Sequence, residues 1–417
     1  MKTKKKISLP IQILIGLVAG VVVGIMFQGN PDIATKFIKP IGTIFLNLIK
    51  LVIVPLVFSS LIVGVADLKD AKQIGKIGLK TFVYFFVTTA FAIIIGLTLA
   101  NLLNVGSGFT LPSDQLAFEA KEAPSFIDTL VGIIPSNPLN ALVQGQMLQI
   151  IVFALIIGAG LLYTGEKGEF VFKVFDGLQE AMIHITNGIM KVAPYGVFGL
   201  IAPVIAVNGP QVLLPLLKVI GLVYLGCFLH ALIVYGGSIA LIAKLPVATF
   251  FKKVFSPWAV AFTTSSSAGT LPIALDVAEN DLGVSKPIAS FVLPLGSTIN
   301  MDGTAIYQGV CALFIASVYG LDLSLGQQVT IVLTTVLASV GTAGVPGAGM
   351  IMLAMVLQSV GIPVEGIALV AGVDRIFDMV RTSVNVLGDI TCSVVVAKSE
   401  GQLDEQVFLN PQTTSRQ

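Results

Sequence analysis

The sequence predicts an all-α integral membrane protein with eight transmembrane helices and two shorter helical hairpins that enter and leave on one side. Three observations predict it. Only 11% of the 417 residues are charged and 55% are hydrophobic, with a mean hydropathy of +0.94, whereas a soluble domain carries about a quarter charged residues. Apolar segments long enough to span a bilayer, about 20 residues each, recur along the chain. Between the later ones lie two shorter apolar pieces interrupted by Gly, Ser or Pro.

Spans are expected near residues 9–27, 38–66, 81–104, 141–163, 172–207, 211–244, 287–319 and 363–398. The first follows Lys2, Lys4, Lys5 and Lys6, and its run from Leu9 to Phe27 is too long for a cleaved leader. Lys69, Lys72, Lys76 and Lys80 follow the second span. Because Lys and Arg concentrate on the cytoplasmic side, both ends of this pair are expected there. The connection 105–140 carries Asp114, Glu119, Glu122 and Asp128 against Lys121 alone, as suits an external loop. Eight spans then return the C-terminus, after Lys398, to the cytoplasm. Gly16, Gly20 and Gly24 form a small-residue stripe that permits close helix packing, but glycine is frequent in membrane helices and nothing further follows from it.

Composition also excludes. A net charge of +1 gives no field for nucleic acid. Cys227, Cys311 and Cys392 lie in apolar stretches without a CxxC pair, against a disulfide framework or zinc site. Two histidines, His184 and His230, disfavour a His-metal enzyme and most His-based acid–base chemistry.

The first interrupted piece, near 248–281, centres on Thr263-Thr264-Ser265-Ser266-Ser267-Ala268-Gly269-Thr270-Leu271-Pro272. The second, near 325–362, centres on Gly341-Thr342-Ala343-Gly344-Val345-Pro346-Gly347-Ala348-Gly349. About a dozen mostly apolar residues flank each centre, too few to cross twice. Non-helical backbone at membrane depth is tolerated only where protein or a water-filled cavity satisfies it. Paired broken segments in the two halves of a chain point to a transporter's binding site. A flexible extramembrane loop is the alternative, weakened because neither centre holds a charge.

Polar groups inside the last two spans carry the chemistry. Gly296-Ser297-Thr298-Ile299-Asn300-Met301-Asp302-Gly303-Thr304 interrupts an apolar segment. A carboxylate there costs a few kcal/mol on insertion scales, so Asp302 needs a partner or an ion. Gly303 weakens the helix and frees carbonyl oxygens, which with a carboxylate and an amide suit a hard cation. A polar pair at a helix–helix interface is the alternative. In the last span, Asp374, Asp378, Arg381, Thr382, Asn385 and Asp389 fall within an arc of about 100°, opposite Ile376, Val380, Leu387 and Ile390. Such a stripe lines a site or a pathway rather than lipid.

Arg381 offers a planar fork for a carboxylate, and Asp378, one turn away, can receive an ammonium group. Together they suit a molecule carrying both an acidic and an amino group. The alternative, that they only neutralise each other, leaves Asp302, Asn385 and Asp389 unexplained. Asp302, Asp374, Asp378 and Asp389 outnumber Arg375 and Arg381 by two charges, and an amino dicarboxylate adds a third. Bound cations or protons are expected to offset this excess, and more than one per cycle is needed to bring an anion in against the membrane potential.

The Ser265-Ser266-Ser267 turn, the Asn300-Met301-Asp302-Gly303-Thr304 segment, the Gly344-Val345-Pro346-Gly347 tip and the Asp378, Arg381, Thr382, Asn385, Asp389 stripe resemble the dicarboxylate/amino acid:cation symporters. That family includes archaeal aspartate transporters and the excitatory amino-acid transporters of neurons, and the resemblance covers essentially the whole chain. It implies inverted repeats, a homotrimer and an elevator movement. Residues 1–77 (spans one and two) and 141–208 (spans four and five) would form the scaffold. Residues 78–140 (span three and the external loop) and 209–400 (span six, both hairpins, spans seven and eight) would move, and 401–417 would be a cytoplasmic tail. It further implies an acidic amino-acid substrate, coupled Na+ and/or H+ with no other cofactor, no enzyme activity, and a prokaryotic cell membrane with both termini cytoplasmic.

Residue roles are implied in the same way. Arg381 would bind the substrate side-chain carboxylate and Asp378 its amino group. Thr304, Thr382 and Asn385 would contact substrate, with Ser266, Ser267 and the backbone from Val345 to Gly349. One sodium site would use Asn385, Asp389 and carbonyls near Gly296 and Asn300. A second would use Thr298 and carbonyls of the second hairpin. A third would use Asp302, Asn300, Thr88, Thr89 and the Phe85 carbonyl.

The chain departs from the family in a serine run one residue short, and in lacking the family's second arginine at Ser265 or Met379; Arg375, one turn before Met379, is expected to substitute. A symporter of C4-dicarboxylates or of another amino acid such as cystine is the nearest competing reading. A channel or membrane enzyme is a further class, but the serine run has no nearby His or Lys base.

Overall fold

The structure, a computed structural model, describes residues 9–66, 76–106, 131–132, 134–210, 213–339 and 348–410. The N-terminal lysines, Lys69, Lys72, Lys121 and the acidic residues of the 105–140 connection lie outside these residues. So does the second hairpin tip, including Val345.

Regular structure among the described residues is helical, and the one strand-like pairing is an isolated bridge between Val284 and Leu403. The principal helices are α1 (Leu9–Met26), α2 (Lys39–Ala66), α3 (Lys76–Leu102), α4 (Met147–Thr164), α5 (Glu169–Asn208) and α6 (Leu213–His230). They continue as α7 (Phe255–Thr264), α8 (Ser267–Asp276), α9 (Lys286–Ile299), α10 (Asp302–Val318), α11 (Leu325–Ser339), α12 (Ala348–Ser359), α13 (Asp374–Ser399) and the short α14 (Glu405–Leu409).

Six helical runs among the described residues are long and apolar enough to cross a membrane. One of them, Leu148–Val207, holds both α4 and α5, joined through a tight turn at Gly165–Gly168. The shorter α1 is an apolar helix of 18 residues. The segment expected at 287–319 is broken between α9 and α10, where Asn300 adopts an extended backbone (φ −82°, ψ 102°). Helix therefore stops at Asn300 and Met301, just before Gly303, which sits inside the first turn of α10.

Two packing groups are visible. Helices α1 and α2 lie on α5, and α2 also lies on α4. Separately, α3 and α6 pack on α10, while α7, α9 and α10 pack on α13. Helix α12 touches α2 and α4 on one side and α10 on the other. The glycine stripe left open by the sequence is used: a Cβ on Gly16 would stand 2.3 Å from the Pro194 carbonyl oxygen, and one on Gly24 2.7 Å from that of Ala202. Only glycine lets α1 approach α5 that closely.

The buried charges of the fold sit inside while large apolar side chains face outward. Val83, Val87, Phe91 and Ile94 of α3, with Leu225 and Phe228 of α6, are exposed. The α13 span, which carries most of the buried charge, is 94% buried. Buried charges beneath an apolar exterior suit a helix bundle surrounded by lipid.

At the first interrupted piece, α7 and α8 are joined by Ser265 and Ser266 alone. Ser265 ends α7 in the left-handed region (φ 52°), a strained conformation for a residue with a side chain. Ser266 then accepts a hydrogen bond from the Gly269 amide at 3.0 Å and caps α8.

Candidate functional site

Two charged centres lie along the buried face of α13. The first surrounds Arg381, whose side chain is almost wholly enclosed. Its Nη1 and Nη2 donate to the two carboxylate oxygens of Asp374 at 2.8 and 3.3 Å, and Nε donates to Asp378 at 2.9 Å. The guanidinium also lies over the Tyr307 ring, 4.7 Å from its centroid, a cation–π contact strengthened by loss of water. Helical spacing makes this possible: residues 374, 378 and 381 lie on one face at intervals of one turn. The Thr382 hydroxyl donates to the same Asp378 oxygen at 3.2 Å.

Arg375 reaches the same group from the rim. Its Nη1 is 3.7 Å from Asp378, and its Nη2 donates to the Thr264 carbonyl at 3.0 Å, tying α13 to the end of α7. Gly349 of α12 closes the other side, and a Cβ there would stand 2.3 Å from Arg381 Cζ. Three of the five guanidinium N–H groups are committed to Asp374 and Asp378, which leaves two for an incoming acceptor. A cavity of about 320 Å³ opens against this centre, lined by Asp374, Arg375 and Asp378 on α13 and by Ile13, Asn187 and Lys191 on α1 and α5.

The second centre surrounds Asp302 and Asp389, both buried. Asp302 Oδ1 accepts from the Thr89 hydroxyl at 2.6 Å. Its Oδ2 accepts from His230 Nε2 at 3.0 Å and from the Tyr235 hydroxyl at 2.8 Å. Asn300 donates to Asp389 at 3.0 Å and to the Asn385 carbonyl at 2.8 Å, while its own Oδ1 is buried without a partner. Asn385 joins the centres: its Oδ1 accepts from the Gly303 amide at 2.8 Å, and its Nδ2 donates to the Thr304 hydroxyl at 3.3 Å. Gly296 abuts Asp389, where a Cβ would stand 2.5 Å from Oδ1. The Thr88 hydroxyl donates to the Phe85 carbonyl at 3.2 Å beside them.

Thus Asp378, Arg381 and Thr382 gather at the first centre, and Thr89, Asn300, Asp302, Asn385 and Asp389 at the second, with Gly296, Phe85, Thr88 and Thr304 adjoining. Thr298 is exposed, and its hydroxyl bonds back to the Leu295 carbonyl. Ser266 spends its hydroxyl on the α8 cap, and Ser267 is buried beside it. Tyr307, His230 and Tyr235 were not among the expected site residues, and Asp374 was expected in the stripe but given no role of its own. Asp374 shares the helical stripe, so its position was readable. No group of three or more His, Cys, Asp or Glu among the described residues is arranged to hold a metal ion; a site here would rest on amide, hydroxyl and carbonyl oxygens as much as on carboxylates.

An enclosed guanidinium and a carboxylate cluster, set where helices break inside an apolar shell, define a membrane transporter. The chain belongs to the sodium:dicarboxylate symporter family, whose model matches residues 9–399. It is 41% identical to the proton/sodium-glutamate symport protein of Geobacillus stearothermophilus, over 96% of this chain and 97% of that one. It is 39% identical to the proton/glutamate-aspartate symporter of Escherichia coli strain K12, over 97% and 95%. It is 36% identical to the C4-dicarboxylate transport protein of Bacillus subtilis strain 168, over 95% of each. The family and these relatives are transporters, and so is this chain; it is not an enzyme.

Proposed function

We propose that the protein takes up glutamate or aspartate in symport with sodium ions, protons or both. The observation that carries this reading is the enclosed Arg381, paired with two carboxylates yet holding two N–H donors in reserve. In this reading the substrate side-chain carboxylate docks on the guanidinium fork and its ammonium on Asp378. Thr304, Thr382, Asn385, Ser266, Ser267 and the Val345-to-Gly349 backbone complete the pocket. Coupled ions bind at Asp389 with Asn385, Gly296 and Asn300, and at Asp302 with Asn300, Thr88, Thr89 and Phe85. The unpartnered Asn300 Oδ1 supports this, because a buried acceptor without a donor invites a cation. Thr298 and the second hairpin supply a third site.

The proposed architecture has eight spanning helices, two re-entrant hairpins (α7–α8 and α11–α12) and a homotrimer, with both termini cytoplasmic in the cell membrane. Residues 1–77 and 141–208 form the scaffold, and 78–140 and 209–400 the moving unit, in keeping with the two packing groups. The cavity beside Asp374 reaches Ile13, near the N-terminal end of α1, so this conformation faces the cytoplasm.

Uptake of labelled aspartate and glutamate into proteoliposomes, under an imposed Na+ or pH gradient, tests the function; no saturable uptake under either would end it. A C4-dicarboxylate substrate is the second reading. Asp378 is already engaged by Arg381, Arg375 and Thr382, which leaves it less to offer an ammonium group. Succinate competing as well as glutamate would select that reading.

A further inference from the structure

We infer that His230 and Tyr235 are positioning residues for a cation site at Asp302: they anchor one carboxylate oxygen so that the other is presented to the ion. This rests on the coupled-ion reading above but concerns residues to which that reading gives no part.

The argument begins with helix geometry. In an α-helix, side chains five residues apart diverge by about 140°, so His230 and Tyr235 would not share a face. Helix α6 ends at His230, and Ala231–Tyr235 continues as a π-helical turn. The wider turn brings Tyr235 back over His230. The two rings meet edge to face with centroids 4.7 Å apart, and both donate to Asp302 Oδ2. Other π-helical turns occur at Ala34–Ile38, Ser238–Ala243 and Val277–Asp281; what sets this one apart is that it brings two donors onto one carboxylate oxygen.

An ionised carboxylate has about four acceptor positions on its two oxygens. His230 and Tyr235 fill those of Oδ2, and Thr89 takes one on Oδ1. One position remains, on the oxygen that accepts from Thr89, and Asn300, two residues before Asp302, holds a second buried acceptor without a partner in its Oδ1. Room for the tyrosine hydroxyl comes from α13: a Cβ on Gly388 would stand 2.4 Å from that hydroxyl and 2.3 Å from Asn300 Nδ2. The hydroxyl also lies 3.2 Å from the Val384 carbonyl, so the carboxylate is fixed relative to α13 as well as α6. Anchoring of this kind sets a ligand's direction without touching the ion.

Tyr235→Phe in the full-length protein is the first test, since it deletes the hydroxyl and keeps the ring. Reconstituted into proteoliposomes, it should raise the sodium concentration for half-maximal uptake about tenfold. Half-saturation by aspartate at saturating sodium should stay within about twofold, because the Arg381 centre is untouched. Gly388→Ala, which crowds the same hydroxyl, should shift sodium dependence in the same direction. His230→Gln, which can still donate, should fall between wild type and His230→Ala.

A second readout needs no transport: stabilisation of the detergent-purified protein against heat by sodium chloride over choline chloride should require correspondingly more sodium in Tyr235→Phe. An unchanged or lowered sodium requirement overturns the inference, including the case where the variant merely melts earlier. Wild-type protein that takes up substrate yet ignores sodium in both assays overturns this inference and leaves the proposed function standing on protons. Wild-type protein without saturable uptake defeats the proposed function, and the thermal titration still decides the role of Tyr235.

Discussion

Asp374 and Asp378 share their enclosure with Arg381 and Arg375, whereas Asp302 and Asp389, buried further along the same site, meet hydroxyls, amides and one histidine. Burying a carboxylate is tolerable when a counter-charge or a full set of donors comes with it. At the first centre two fixed cations match two aspartates, so an arriving solute must bring carboxylate and ammonium, or displace one acid with another. At the second centre no lysine or arginine among the described residues forms an ion pair with either acid. The excess of two negative charges legible in the sequence therefore falls wholly on the second centre. On the proposed reading, the first region takes the solute and the second a mobile cation.

Arg381→Ala should break that division most sharply. It leaves two buried aspartates without their main cation and removes the fork, so affinity for acidic amino acids should fall at least about a hundredfold. Equilibrium binding of labelled aspartate to purified protein measures this. Stabilisation by sodium alone should survive, and retained aspartate affinity would refute the role of Arg381. Next in size, Asp389→Asn should raise the sodium requirement for uptake about tenfold while substrate half-saturation at saturating sodium changes little. Should substrate affinity collapse instead, with sodium binding intact, the two centres would not be separable.

Gly349→Ala sharpens the comparison from the opposite side. Its Cβ would stand 2.3 Å from Arg381 Cζ, so the guanidinium must shift off its partners. Acidic-substrate half-saturation should rise several-fold, the lower end (about 1 kcal/mol) of the cost typical of overpacking. The sodium requirement should not move, and a parallel rise in both would show that the glycine serves general packing.

How much of this could be read beforehand follows from periodicity. The α13 stripe was legible because its residues repeat at 3.6 and the helix is regular across all of them. The first turn was legible from Ser265 and Ser266, small polar residues in an apolar piece. Asp374 was visible in the stripe, but its bidentate hold on Arg381 was not, since seven residues of separation do not by themselves choose a rotamer. His230 and Tyr235 were hidden for a geometric reason: their pairing needs a π-helical turn, and reading at 100° per residue sends them apart. Thr298 has the chemistry of a site residue, and in this structure its exposed hydroxyl turns back to the Leu295 carbonyl. The break at Asn300 was expected near Gly303; the extended Asn300 ends the helix earlier, and its side chain bonds across to Asp389 and Asn385.

The smallest effect is expected where a charge pair sits in neither centre. Lys50 of α2 meets Glu365, in the short turn between α12 and α13, at 2.6 Å, with side chains 34% and 59% exposed. It joins the two packing groups, and both side chains are partly exposed, so its contribution should be small beside that of the enclosed pairs. Glu365→Gln should therefore melt slightly below wild type, and adding Lys50→Met to it should cost little more, because the partner is already lost. A clear further loss in the double variant would mean that packing, and not the charge pair, holds the two groups together there. A loss of about 3–5 kcal/mol, the scale of breaking a buried pair, would mean that an exposed pair can rival an enclosed one, against the contrast drawn between the centres.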